Sequence, residues 1–318
     1  MSIPLLILID VNPDGLSRFE SAGFVLCLAT TPNDRANAIG TYGTEIRAVL
    51  TNGSTGFTAD EIAMFPALEI ICALGAGYEK IDLPAALSRN IVVTNGAGTN
   101  DASVADHAMA LLMSIARGIP QADAAVRRGE WAQSRQPRPM VSGKKLGILG
   151  LGNIGRQIAQ RAANGFNMQI SYHNRTPLAD SPYTYCATPE ALATWADFMV
   201  VATPGGAATR HLVNAPVLAA LGPSGFLINI CRGSVVDTAA LIAALQQNQI
   251  AGAALDVLDG EPHVPSEFST LTNIIFTPHI AGRSPEAVAA TAQLALQNLT
   301  AHFAGEPVLT PVPMSPPS

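Results

Sequence analysis

Residues 145–155 read KLGILGLGNIG. An apolar run, 146–149, meets Gly150, Gly152 and Gly155 in G-x-G-x-x-G spacing, and a helical pattern follows over 156–162. This is strand, tight turn, helix. The first glycine permits the turn, the second lets the backbone approach a pyrophosphate, and the third lets helix and strand pack closely. N–H groups at the helix start have no partner inside it, and the helix dipole favours negative charge there. The spacing alone is a weak signal. Between a strand and a helix it reads as a dinucleotide site, with an ordinary glycine-rich turn as the alternative.

The same rhythm runs outward on both sides. Upstream, apolar runs at 3–9, 24–28, 48–50, 70–73 and 91–93 alternate with helical or loop stretches. Downstream, runs at 168–172, 198–202, 225–230, 252–254 and 274–276 do the same. Such alternation predicts an α/β fold with parallel sheets. The upstream strands end in small-residue loops: Thr51-Asn52-Gly53-Ser54, Gly75-Ala76-Gly77 and Asn95-Gly96-Ala97-Gly98. In open α/β sheets ligands bind beyond the carboxyl ends of the strands, so three such loops suggest one small-molecule crevice. Each loop taken alone is equally a tight turn.

Between the two halves, Ser103 with Asp106 three residues on predicts a capped helix, with Val104, Ala108, Leu111, Leu112 and Ile115 on its apolar face. Residues 117–143 are polar and broken by proline, with Trp131 among them. This segment reads either as an arm that packs on a second subunit or as a surface excursion. From Ser284 onward a long helix is predicted, with Ser284 as cap, Pro285 at the first position and Gly305 past the end. The tail from 310 to 318 is proline-rich and predicted to be a mobile end without regular structure.

Composition narrows the function. The chain has 318 residues, enough for about two domains. It is 48% hydrophobic and 13% charged with a net charge of −6, which favours a large core and argues against disorder. No basic stripe points to nucleic acid or an anionic membrane. Cys27, Cys72, Cys186 and Cys231 form no C-x-x-C pair, so no zinc signature or disulfide framework is evident. The apolar run at the amino end stops at Asp10, too short to span a membrane. A soluble, cytoplasmic protein is the expectation.

The second strand of the dinucleotide unit ends at His173-Asn174-Arg175-Thr176. An NAD site places an acid there for the ribose hydroxyl. Arg175 stands there instead, between Asn174 and Thr176. A guanidinium can pair with a 2′-phosphate that a carboxylate would repel, so NADP(H) is preferred, with NAD(H) possible. The alternative is a surface arginine beside an NAD site without the acid. Further on, Arg232 follows the run FLINI, Glu261 closes LDVLDGE, and His279 follows IIFTP. Singly these read as a surface cation, a loop carboxylate and a structural histidine. Together they follow successive strands of one sheet on the side where the cofactor must lie, a constellation suited to reducing a carbonyl.

The chain resembles the D-2-hydroxyacid dehydrogenase family over nearly its whole length. The resemblance rests on GAGYEKID (75–82), GLGNIG (150–155), ICRGSVVD (230–237), ALDVLDGEP (254–262) and TPHIAG (277–282). HNRT at 173–176 and HIAGRSPEA at 279–287 look most like the NADPH-dependent glyoxylate/hydroxypyruvate and hydroxyphenylpyruvate reductase branch. The resemblance implies two Rossmann-like or flavodoxin-like domains with parallel sheets. Residues 1–99 and 286–318 would bind substrate, and an inserted dinucleotide domain, 100–285, would carry a dimerisation arm at about 100–143. It implies NADPH-dependent reduction of a small 2-oxo acid to the D-2-hydroxy acid in a homodimer. His279 would be the general acid, Glu261 its partner, and Arg232 the substrate clamp. Asn52, Gly53, Ala76 and Gly77, with Arg232 and His279, would bind substrate. Val104, Gly150, Gly152, Asn153, Ile154, Gly155, Asn174, Arg175, Thr176, Thr203, Pro204, Ile230, Cys231 and Asp256 would contact the cofactor. No metal is required. Family corepressors, which share the fold and sense cofactor, are the rival reading, and formate dehydrogenase a more distant one.

Overall fold

The computed structural model describes residues 2–313, and the chain divides into two units: Met1–Asn100 with Gly282–Ser318, and Asp101–Ala281. In the first unit β1 (Ile3–Ile7), β2 (Phe24–Leu28), β3 (Ala48–Asn52), β4 (Ile70–Leu74) and β5 (Val92–Thr94) form a parallel sheet in the order β2-β1-β3-β4-β5. Successive side chains alternate between two cores. Leu5, Ile7, Leu50, Ile70 and Cys72 enter one, while Leu6, Val49, Ile71 and Ala73 enter the other. A sheet covered on both faces needs apolar residues at every position, which is why its strands read as continuous runs. The helices are α1 (Pro13–Ser21), α2 (Pro32–Tyr42), α3 (Ala59–Ala63) and α4 (Leu83–Ser88).

The second unit adds α5 (Asp101–Arg117), α6 (Ile119–Arg127), α7 (Asn153–Phe166), α8 (Pro189–Trp195), α9 (Ala215–Leu221) and α10 (Thr238–Gln246). They flank β6 (Lys145–Leu149), β7 (Gln169–His173), β8 (Thr184–Tyr185), β9 (Phe198–Val201), β10 (Phe226–Asn229), β11 (Gly252–Leu255) and β12 (Ile274–Phe276). The strands are parallel, in the order β12-β11-β10-β9-β6-β7-β8. The order reverses between β6 and β9, the switch point at which such sheets open a ligand crevice. Leu146 and Ile148 are fully buried, packing with Ala108 and Leu112 of α5 and Ile158 of α7. Each buried aliphatic side chain of this kind contributes about 1.5–3 kcal/mol.

The last helix, α11 (Pro285–Phe303), returns to the first unit. Ser284 Oγ accepts from Ala287 N–H at its start and Gly305 follows its end at φ 78°, as its sequence predicts. Ala295 and Leu299 bury against Leu5 and Ile7.

Three expectations are corrected or filled in by the structure. Helix α5 begins at Asp101, so Ser103 lies inside the first turn, and its hydroxyl donates to Ala281 O at 2.6 Å instead of capping. Asp106 pairs with Arg161 at 2.7 Å. The segment 117–143 contains α6, which its prolines concealed because Pro120 sits in the first turn, where a missing N–H costs nothing. Residues 310–312 are held rather than mobile: Val312 N–H donates to Val93 O, Asn95 N–H to Thr310 O, and Asn298 binds Thr310. The rest of that predicted mobile end, 314–318, lies outside the described residues. Among the described residues no helix is long and apolar enough to cross a membrane.

Candidate active site

The glycine turn sits at the switch point of the second unit. Gly150 adopts φ 102°, and a Cβ there would stand 2.8 Å from the backbone of Ala202 and Thr203 at the end of β9. A Cβ on Gly155 would stand 2.2 Å from Gly150 O, so this glycine lets α7 close on the turn. Gly152 differs: a Cβ there would meet nothing within 4 Å. It is the residue before α7, and no side chain caps the helix. The first N–H groups of α7 thus face open space in front of an exposed glycine, a cradle that fits a pyrophosphate.

At the carboxyl end of β7, Asn174 Oδ1 accepts from Leu151 N–H at 2.7 Å, tying this loop to the glycine turn. Arg175 and Thr176 are exposed beside it. His173 stacks on Tyr185 and its Nδ1 lies 2.9 Å from Cys186 O. Thr203 and Pro204 follow β9, Thr203 being half-buried and Pro204 exposed, with Thr203 Oγ1 4.0 Å from Cys231 Sγ. Ile230 and Cys231 are buried after β10, and burial pushes the Cys231 thiol up to about 11, so no thiolate stands there at neutral pH. Val104 is buried in the core that Ile154 also touches, and Asn153 is exposed at the first position of α7.

The three candidate catalytic side chains follow adjacent strands. Arg232 comes after β10, half-buried, with a guanidinium N–H donating to Cys231 O at 2.6 Å. Gly233 behind it lies so close to Leu258 and Asp259 that a Cβ would stand 1.8 Å from Leu258 C. Glu261 follows β11 and His279 follows β12. Their side chains meet, with His279 Nδ1 2.9 Å from Glu261 Oε1 and about a third of each exposed. His279 is held at φ 55°, a left-handed conformation sparsely populated by residues with a Cβ.

Asp256 is 1% exposed. Oδ1 accepts from Thr277 Oγ1 at 2.6 Å and from Ile280 N–H at 2.9 Å, and Oδ2 accepts from Ala281 N–H at 2.9 Å. Burial alone would raise this carboxyl, but hydrogen bonds from His107, Thr277 and the Ile280 and Ala281 N–H groups hold it below its ordinary value. His107, which sequence reading passed over, reaches this group from α5. Its only sequence signal was a polar residue next to the apolar stripe of that helix.

In the first unit the loops after β3, β4 and β5 converge. A Cβ on Gly53 would stand 2.6 Å from Gly77 C, and one on Gly96 would stand 2.7 Å from Gly75 N. Asn95 Nδ2 donates to Ala76 O at 2.8 Å. Asn52 Oδ1 accepts from Ser54 and Thr55 N–H, closing its own turn. Close packing of the loops therefore accounts for Gly53, which aligns the Gly75-Ala76-Gly77 backbone. Among the described residues no group of three or more His, Cys, Asp or Glu side chains is arranged to hold a metal.

Residues 109–281 match the family described as D-isomer specific 2-hydroxyacid dehydrogenase, NAD binding domain. The chain is 42% identical to a glyoxylate/hydroxypyruvate reductase of Arabidopsis thaliana, over 89% of this chain and 90% of the relative. It is 40% identical to a hydroxyphenylpyruvate reductase of Plectranthus scutellarioides, over 84% and 85% of the two. Among solved structures it is similar to an NADPH-dependent glyoxylate/hydroxypyruvate reductase from Sinorhizobium meliloti in complex with NADP and malonate. That match has a TM-score of 0.91 at 36% identity and covers 99% of this chain and 98% of the other.

Proposed function

The chain belongs to the D-isomer specific 2-hydroxyacid dehydrogenase family, and from that premise we propose that it reduces a small 2-oxo acid of the glyoxylate or hydroxypyruvate class with NADPH. The protein is an oxidoreductase of the class that acts on CH–OH donors. The observation that carries the reading is the 2.9 Å pair of His279 Nδ1 and Glu261, which follow the two strands next to the β10 that precedes Arg232, at the same carboxyl end of the parallel sheet as the open glycine turn.

When bound, the reduced nicotinamide supplies the hydride. The chain's own residues do the rest. Arg232 pairs with the substrate carboxylate and sets a fixed positive charge beside the carbonyl oxygen, where negative charge develops. His279 faces Glu261 through Nδ1, which leaves Nε2 to give a proton to that oxygen. Glu261 orients the ring and balances its charge. The N–H groups of Ala76 and Gly77, with Asn52 and Gly53 beside them, are assigned to the substrate carboxylate. The α7 N-terminus takes the pyrophosphate and Arg175, with Asn174 and Thr176, the 2′-phosphate. The NADP complex of the S. meliloti relative supports this cofactor. A cytoplasmic homodimer completes the reading. The dimer is supported by the exposed apolar set Ile119, Val126, Trp131 and Met140 on the 119–140 segment.

The test is nicotinamide absorbance with NADPH or NADH against glyoxylate, hydroxypyruvate, pyruvate, phenylpyruvate and 2-ketogluconate. NADPH oxidation with a member of this panel is expected. Tight NADPH binding with no oxidation by any of them would overturn the reading in favour of a cofactor sensor.

A further inference from the structure

Three successive backbone N–H groups converge on one residue. His279 N–H donates to Asp256 O at 2.8 Å, and the N–H groups of Ile280 and Ala281 donate to the two oxygens of its carboxylate. The left-handed turn that aims His279 at Glu261 is therefore built on Asp256. The carboxylate is gripped in turn from α5. Thr277 Oγ1 lies 2.6 Å from Asp256 Oδ1 and 2.9 Å from His107 Nε2. A hydroxyl has one proton to give. Thr277 gives it to the carboxylate, so it accepts from His107, and His107 Nε2 carries the hydrogen. The same Nε2 lies 3.4 Å from Asp256 Oδ1. Ser103, one turn earlier on α5, donates to Ala281 O at 2.6 Å, so two residues on one helical face hold both ends of the 277–281 segment.

We propose that His107 is a positioning residue for the reaction: through Thr277 and Asp256 it holds the backbone of 279–281 and thereby the aim of His279. The proposal rests on the reductase reading for its effect on turnover, but the latch itself is a property of the second unit. Every group that meets the Asp256 carboxylate is a donor, so the carboxylate keeps its place only while the donors are complete. Removing His107 leaves Thr277 free to turn its hydroxyl elsewhere and loosens the three N–H bonds together.

The experiment compares His107→Leu, which removes the donor and keeps bulk, with His107→Gln, whose amide keeps an N–H near Nε2. Three readings are taken: steady-state kinetics with NADPH and the best substrate, NADPH affinity by fluorescence, and residue-resolved amide exchange at 279–281. For His107→Leu the expected result is kcat lowered about tenfold, the scale of one lost hydrogen bond to a charged network, with KM and NADPH affinity little changed and faster exchange at 279–281. His107→Gln recovers most of kcat and of the protection. Turnover of the leucine variant within twofold of wild type, a parallel loss of NADPH affinity, or a glutamine variant as impaired as the leucine variant would each overturn the proposal. If the leucine variant does not fold, Thr277→Val breaks the same relay and is read by the same criteria. If wild type reduces none of the 2-oxo acids, the reductase reading fails while exchange still decides the latch: unchanged protection in the leucine variant rejects it, and faster exchange sustains it.

Discussion

Gly152 and Gly155 lie three residues apart in one motif, yet the structure assigns them opposite sensitivities to a methyl group. In Gly152→Ala the added carbon meets no protein atom within 4 Å, at φ −81° and ψ −158°, an extended conformation open to alanine. Stability should hold to within about 0.5 kcal/mol. The methyl nevertheless enters the space in front of the α7 N–H groups. Displacing a phosphate oxygen from one such N–H forfeits a charge-assisted bond of about 1.5–3 kcal/mol, a loss of roughly 10- to 100-fold in NADPH affinity. In Gly155→Ala the carbon would stand 2.2 Å from Gly150 O, more than 1 Å inside ordinary contact of about 3.3–3.6 Å, with Ile148 Cγ2 also 3.3 Å away. Overpacking of this kind costs about 3 kcal/mol, and the helix preference of alanine returns up to about 1 kcal/mol. The net loss of about 2 kcal/mol lowers Tm by roughly 4–8 °C for a unit of this size. Thermal melting without cofactor and fluorescence titration with NADPH separate the two effects. If Gly155→Ala melts with wild type, or if Gly152→Ala binds NADPH as wild type does, the division of labour argued for the turn is wrong.

Three other substitutions probe the site. His279→Ala should lower kcat by roughly 10²–10⁴ in steady-state assays, and near-wild-type turnover would remove it as the acid. Arg175→Asp should move preference toward NADH, because it removes the 2′-phosphate partner and supplies an acceptor for the ribose hydroxyl; an unchanged ratio of the two cofactors' kcat/KM would place phosphate recognition elsewhere. Asp256→Asn turns an NH₂ toward converging donors and should cost about 1–3 kcal/mol at neutral pH. Because the folded Asp256 carboxyl lies below its ordinary value, its contribution is present above the unfolded value of about 3.9 and is lost as pH falls through the folded one. The gap in melting temperature between wild type and Asp256→Asn should therefore narrow below about pH 4, and a gap that stays constant across that range would refute the assignment.

What the sequence by itself determined is what neighbouring residues decide among themselves. The glycine spacing of 150–155 prescribes a turn between strand and helix, Ser284 and Pro285 prescribe a helix start, and unbroken apolar runs prescribe strands buried on both faces. Ser103 and Asp106 show the limit of local reading. They match a capping box, yet the helix starts earlier and both side chains take distant partners, Ala281 and Arg161. Tertiary structure alone decided contacts made across the chain. It brought His279 to Glu261 over 18 residues, turned the Asp256 carboxylate onto the backbone of 280 and 281, and set His107 against Thr277 over 170 residues. It also fixed Gly53 and Gly96 by the approach of neighbouring loops. The physical reason is range: a cap or a turn is settled by hydrogen bonds within a few residues, whereas the partner of a buried carboxylate is whatever donor the packed sheet and helix deliver to it.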